Sequence, residues 1–340
     1  MNSIIREETE RESMNVIVVG LGSMGRRRIR LIKRYDGTMN ITGVDPDEKR
    51  RRQTEEMYSI STYENIENAL NNGNADCFFV SSSPLSHADI TYECLKAGGH
   101  VFSELNLVTD RYDENIALAD KRGVVLFLSS TQLYRDELLY ISKRIHGMKD
   151  TCNYMYHVGQ YLPDWHPWEN YKDYFVGKKR TNACREIMAV EFPWLVETFG
   201  PVKNVYVQTS KNSDLDIDYN DNYIISVEHE NGHKGVFVLD ILCRISVRSL
   251  EVFSENMYLR WSGTPESLYE YQVSSGEMKQ IILYDQIDKL KEYNETIIEN
   301  DYYSEIEEFF GAVKGDAVPR YSFEKDRAIL GLIDEIESKD

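Results

Sequence analysis

An α/β fold is predicted, in which an N-terminal doubly wound parallel sheet leads into a C-terminal α+β portion on an open, mainly antiparallel sheet. Three observations predict it. Over the first 130 residues short apolar runs alternate with amphipathic stretches. A glycine-rich loop follows the first of those runs. After Pro201 strand-like runs succeed one another without helices between them. A chain of 340 residues also exceeds what one core ordinarily holds, so two domains are expected.

The opening residues, 1–13, are polar and acidic and read as an arm that lacks the apolar core of a signal peptide. NVIVVG (15–20) is a β-branched strand, followed by a helical pattern reaching Leu31 and Ile32. NITGV (40–44) is the second strand, and a charged helix runs from Asp47 to Met57. ADCFFVS (75–81) is apolar enough for burial on both faces, as a central parallel strand requires. Pro84 opens a helix that Gly98 and Gly99 stop. HVFSE, a helix over 112–121 and VVLFLSS (124–130) complete a series of right-handed βαβ units. The first domain is therefore placed at 14–130 and the second at 131–340.

In the second domain aromatic and polar residues crowd 154–174, and one helix runs from Ala183 to Phe199. Strand-like runs follow, with Asn231-Gly232 as a hairpin-type turn between two of them. The tail, YYSEIEEFFGAVKG and FEKDRAILGLIDEIES, is two amphipathic helices with apolar positions three and four apart.

Composition narrows the function. A formal net charge of −18 disfavours nucleic acid and anionic membranes as partners. No apolar run reaches the roughly 18 residues of a membrane helix. Five scattered cysteines lack the paired spacing of a zinc site or redox dithiol, so no metal and a cytoplasmic setting are expected.

GLGSMG places Gly20, Gly22 and Gly25 in GxGxxG spacing between a strand and a helix. Gly20 permits the tight turn, Gly22 lets the backbone approach a pyrophosphate, and Gly25 allows close helix–strand packing. Ser23 and Met24 open the helix whose N–H groups face the phosphates. Asp45 ends the second strand 20 residues past Gly25, where a carboxylate binds ribose hydroxyls and repels a 2′-phosphate. This Rossmann pattern points to NAD. Ser82, Ser83 and Glu104 stand at carboxyl ends of later strands, facing the same crevice. His87 reads either as a group of that site or as a hydrogen-bonded first-turn helix residue.

GLGSMG, Asp45 and SPLSHADITYECLKAGGHVFSE together resemble the glucose–fructose oxidoreductase, inositol dehydrogenase and MocA family. The resemblance implies NAD(P) chemistry on a sugar or cyclitol hydroxyl, sometimes redox-neutral with retained cofactor. It also implies a homodimer or homotetramer built on the open sheet. The family's Glu-Lys-Pro stands here as Glu104-Leu105-Asn106, and leucine cannot donate a proton. On the second-domain helix Glu186 matches the family's acid, while Val190 occupies its histidine position unless a register shift brings in Glu191.

HVGQYLPDWHPWENY (157–171) is the expected source of replacement chemistry. His166 or Tyr161 would handle the hydroxyl proton with Glu186. Asp164, Trp165 and Trp168 would bind substrate, because flat rings cover C–H faces while acids accept hydroxyl bonds. Arg185 joins that group, whereas the acids at 191 and 197 are read as off-face and as surface-exposed, and the 178–180 charge run as solvated. The reading is an NAD-dependent oxidoreductase for a sugar-like substrate, free or nucleotide-linked. Two alternatives stay open: a redox-neutral epimerase or lyase with retained NAD, and a non-catalytic NAD-binding sensor.

Overall fold

The computed structural model describes residues 13–167, 169–290 and 294–339. Residues 1–12 of the expected arm, and Trp168, lie outside them. The first half runs β1 (Asn15–Val19), α1 (Ser23–Tyr35), β2 (Asn40–Val44), α2 (Glu48–Tyr58), β3 (Ser61–Tyr63), α3 (Ile66–Leu70) and β4 (Cys77–Val80). It continues with α4 (His87–Ala97), β5 (His100–Ser103), α5 (Tyr112–Arg122) and β6 (Leu126–Leu128). These strands form one all-parallel sheet in the order β3-β2-β1-β4-β5-β6. The order reverses between β1 and β4, which opens a crevice at the carboxyl ends. Successive strand residues bury on opposite faces. Val16, Val18 and Phe79 join one apolar cluster, while Ile17, Val19 and Phe78 join the other. Both faces are covered, which explains the unbroken apolar runs.

The second half holds α6 (Asp136–His146), β7 (Asn153–Gly159), α7 (Ala183–Phe199), β8 (Val202–Ser210), β9 (Asn222–His229) and β10 (Lys234–Asp240). Then come β11 (Val247–Ser254), β12 (Met257–Trp261), β13 (Tyr269–Gln272), β14 (Glu277–Gln280), α8 (Glu299–Lys314) and α9 (Phe323–Glu337). The sheet order is β14-β13-β12-β11-β7-β10-β9-β8. It is open, and antiparallel except where β10 runs parallel to β7. The aromatic segment thus begins as a central strand. Tyr154, Tyr156 and Val158 are buried while Met155 points out, a period-two pattern masked by its polar neighbours. The Asn231-Gly232 turn joins β9 to β10, with Gly232 at φ +90°.

α8 crosses back to the first sheet. Phe309 meets the edges of Phe79, Phe102 and Phe127, and Phe310 stacks on Tyr35 of α1 at 4.9 Å. Each such aromatic pair adds roughly 0.5–1.5 kcal/mol beyond area burial. This docking places the N-terminal turn of α8 at the crevice. Among the described residues no helix is long and apolar enough to cross a membrane.

Candidate active site

The glycine loop is shaped by contacts that leave no room for side chains. Gly20 sits at φ +93°, and a Cβ there would lie 2.6 Å from the Ser81 carbonyl oxygen. A Cβ on Gly25 would lie 1.8 Å from the Gly20 oxygen, so α1 can approach β1 only with glycine at that position. Around Gly22 nothing lies within 4 Å of the added carbon. That open side faces the start of α1, which has no side-chain cap and no acid in its first turn. The N–H groups of Ser23 and Met24 therefore begin a helix suited to an anion.

Asp45 is buried, and its Oδ2 accepts from the Leu21 N–H at 2.8 Å. Its Oδ1 accepts from the Asp47 N–H, also at 2.8 Å. Asp47, not Asp45, caps α2. The Asp45 carboxylate instead ties β2 to the glycine loop. Cradle, helix N-terminus and carboxylate together fit a dinucleotide.

A cavity of about 430 Å³ opens beyond the ends of β4 and β5, walled by α7 and by the N-terminal turn of α8. That volume suits a small ligand. Met24, Ser82, His87 and Glu104 line it, as do Leu105, Glu186 and Val190. Leu105, Glu186 and Val190, the positions that the sequence resemblance singles out, thus line one space.

Other expected site residues are placed differently. Trp165 lines the cavity and donates its indole N–H to the Gln160 carbonyl at 3.0 Å. His166 lies outside the lining, with Nδ1 2.8 Å from Glu169 Oε1 and its ring stacked on Tyr174. Tyr161 lies under the Arg244 guanidinium, also outside. Neither Asp164 nor Ser83 lines the cavity; the Ser83 carbonyl accepts from Ser86 in the turn before α4. Arg185 is spent on structure. It donates to the Leu107 carbonyl and pairs with Asp334 and Glu337 of α9.

His87 is fully engaged. Nδ1 lies 2.9 Å from Asn106 Oδ1 and Nε2 2.9 Å from the Ser82 carbonyl. Burial holds its pKa below the usual histidine value despite those bonds. Glu104 accepts two hydrogen bonds from Arg28, which also reaches Glu305 and Ser129. Arg28 itself is wholly buried, its guanidinium over the Phe102 ring at 4.4 Å.

Glu186 differs from all of these. Its Oε2 is inaccessible and has no hydrogen-bond partner, and burial pushes the carboxyl pKa up to about 7. Two more cavity-lining polar atoms, Ser130 Oγ and Arg248 Nε, are likewise buried without partners. Buried polar atoms are seldom left unsatisfied, and three of them occur on residues lining this one cavity. On α8, burial and nearby carboxylates raise Asp301 to about 8, although Arg135 Nη1 lies 3.8 Å away.

Arg28, Arg135, Arg248 and Asp301 belong to no motif in the sequence, and helical periodicity turns Glu191 away from Glu186. Glu191 in fact faces the cavity, accepting from the Tyr156 hydroxyl and the Trp194 indole and pairing with Arg248. A signal existed. Asp301 and Glu305 share a helix face with Phe309, and Arg28 falls between Gly25 and Ile32 on the apolar stripe of α1. A charge inside an apolar stripe needs a buried partner.

Residues 14–130 match a family model described as an oxidoreductase family with an NAD-binding Rossmann fold. Myo-inositol 2-dehydrogenase of Thermotoga maritima is 30% identical over 117 residues, 34% of this chain and 35% of that enzyme. The chain therefore matches about a third of that curated relative's length. GenD2 from gentamicin A biosynthesis, solved with NAD, superposes with a TM-score of 0.78 at 16% identity, covering 99% of this chain and 97% of that one. The WlbA dehydrogenase of Bordetella pertussis, solved with NADH and UDP-GlcNAcA, gives 0.74 at 17% identity, covering 96% of each chain. At these identities the two structures attest to the shared fold.

Proposed function

We propose, from the premise that residues 14–130 belong to the Gfo/Idh/MocA oxidoreductase family with its NAD-binding Rossmann fold, that this chain is an NAD-dependent oxidoreductase acting on a sugar or sugar-derivative hydroxyl. Residues 14–130 hold the cofactor in this reading, and residues 131–340 supply the substrate side. The observation that carries it is Glu186 Oε2, buried and unpartnered on a half-buried side chain that lines the cavity adjoining the cofactor crevice.

Bound NAD would supply the hydride acceptor. Glu186 takes the hydroxyl proton during oxidation and returns it during reduction, since a carboxyl near pKa 7 exchanges protons at neutral pH. It assumes the role first assigned to His166 and Tyr161, which stand outside the lining. Trp165, its indole N–H already bonded, offers its ring face to sugar C–H groups. His87 and Arg28 hold Ser82 and Glu104 in place.

Supplying NAD⁺ with a panel of sugars and cyclitols, and following NADH absorbance, tests the proposal. NADH should accumulate with NAD⁺ and at least tenfold more slowly with NADP⁺, because the Asp45 carboxylate repels a 2′-phosphate. Asp45→Ser should narrow that gap and weaken NAD binding, as it also removes the bond to Leu21. Turnover without net NADH would move the reading to redox-neutral chemistry. NAD binding with no turnover on any substrate would leave a sensor.

The outward face of the second sheet carries Met155, Tyr206, Ile224 and Val236 exposed. We assign it as the contact of a homodimer or homotetramer. Sedimentation velocity should report a species of at least two chains, and Tyr206→Asp should shift it toward the monomer; a wild-type monomer at micromolar concentration would refute this.

A further inference from the structure

We infer that the cavity selects a substrate bearing a protonated amine, an amino sugar or aminocyclitol, over neutral and carboxylate-bearing counterparts. The inference rests on the oxidoreductase reading above and adds the chemical class of its substrate. It begins from charge. Glu104, Glu186, Glu191 and Asp301 line the cavity, against Arg135 and Arg248. Directly behind them Arg28 is shared by Glu104 and Glu305, and Arg135 is bonded to Glu137. Six carboxyl groups thus meet three guanidinium groups, a formal surplus of three negative charges in a buried setting. Among the described residues no lysine lines the cavity, and His87 is held neutral by burial.

The surplus is not spread evenly. Arg248 is matched by Glu191, and Arg28 lies bidentate on Glu104. The two acids least well matched are Glu186, whose Oε2 has no partner, and Asp301, whose ion pair with Arg135 is stretched to 3.8 Å. Burial raises both groups above ordinary carboxyl values, and at Asp301 the neighbouring Glu137, Asp136 and Glu305 add to the rise. A ligand ammonium offers three donors and one positive charge, which is what these acceptors lack. A ligand carboxylate or phosphate would instead add to the surplus.

A second observation points independently to a ligand in the same space. Ser130 is 5% exposed, lines the cavity, and its Oγ has no hydrogen-bond partner. Its backbone N–H is already committed to Glu305, so the hydroxyl is the group left over. Acceptor carboxylates and an unengaged hydroxyl lining one cavity suit an amine and a hydroxyl carried on the same small ligand.

Calorimetry on the NAD⁺-loaded full-length protein tests this with matched triplets: glucose, glucosamine and glucuronate, then galactose, galactosamine and galacturonate. A myo-inositol and inosamine pair extends the test to cyclitols. In at least one set the amine should bind about tenfold or more tightly than the neutral compound, as a charge-assisted hydrogen bond allows. The uronates should bind most weakly. Asp301→Asn should remove most of the amine's advantage, bringing the ratio of amine to neutral affinity to within about twofold, and Glu186→Gln should lower the same ratio if Asp301→Asn fails to fold. No amine preference in any set, including no amine binding at all, overturns the inference. So does an advantage that survives both substitutions. NAD⁺ reduction by a neutral sugar without amine preference would overturn this inference alone and leave the oxidoreductase reading standing.

Discussion

Glu186→Gln should lower turnover by about 10² to 10⁴ while leaving NAD affinity within about twofold, the range a positioned acid–base group contributes. Glutamine keeps the shape and removes only the proton exchange, so the loss would isolate that step. The pH profile gives the sign. In the oxidation direction the carboxyl must be ionised to accept the hydroxyl proton, so kcat should rise through about pH 7 and level off above it. In the reduction direction the carboxyl must be protonated, and kcat should fall through the same range. Stability should move oppositely to oxidation. The folded pKa lies above the ordinary carboxyl value of 4.5, so the stabilising contribution is full below about 4.5 and is lost as pH rises through about 7. At pH 8 the glutamine variant should therefore melt higher than the parent. A variant that retains turnover, or a profile without a break near 7, would remove Glu186 from the chemistry. Loss of turnover in His166→Ala with Glu186→Gln unaffected would return the role to the 157–171 segment.

Arg28→Met should destabilise the fold by about 3–5 kcal/mol, the usual cost of removing one partner from a buried ion pair. The guanidinium bonds Glu104, Glu305 and Ser129 together, joining the end of β5 to α8 with no exposure to water. Without it two carboxyl groups remain buried with no cation. Arg28→Lys should recover only part of the loss, because an ammonium cannot reproduce a fork bonded to both oxygens of Glu104 or the stacking on Phe102. Arg28→Met combined with Glu305→Gln should recover more, since one uncompensated charge is gone. Denaturant unfolding followed by circular dichroism reads all three. A single-variant loss below about 1 kcal/mol would mean that water reaches the cluster and that the network does not hold α8 to the first sheet.

Local pattern alone carried much of the first half. The doubly wound sheet was legible because its strands are buried on both faces and read as continuous apolar runs. GxGxxG and Asp45 were legible because the glycines are close in sequence and the acid stands at a fixed spacing beyond them, at the end of the next strand. Strand β7 was harder. Its alternation of Tyr154, Tyr156 and Val158 lies among residues that also read as a polar–aromatic loop, and only pairing with β10 and β11 makes it central.

The cavity belonged to the tertiary structure. Helical periodicity shows which residues share a face, not which neighbour that face meets. Glu191 therefore looked off-axis until Tyr156, Trp194 and Arg248 closed around it. His166 and Tyr161 looked like the chemistry because they cluster in sequence, yet Trp165 alone of those three lines the cavity. Asp301 reaches it because α8 returns across the chain to pack its phenylalanines on the first sheet. The sequence by itself determined the sheet, the glycine cradle and the acid at 45, each marked by a local pattern of apolar runs, glycine spacing or a strand-end carboxylate. The folded chain decided which carboxyls lose water and partners, because desolvation depends on everything packed around a group, however distant in sequence.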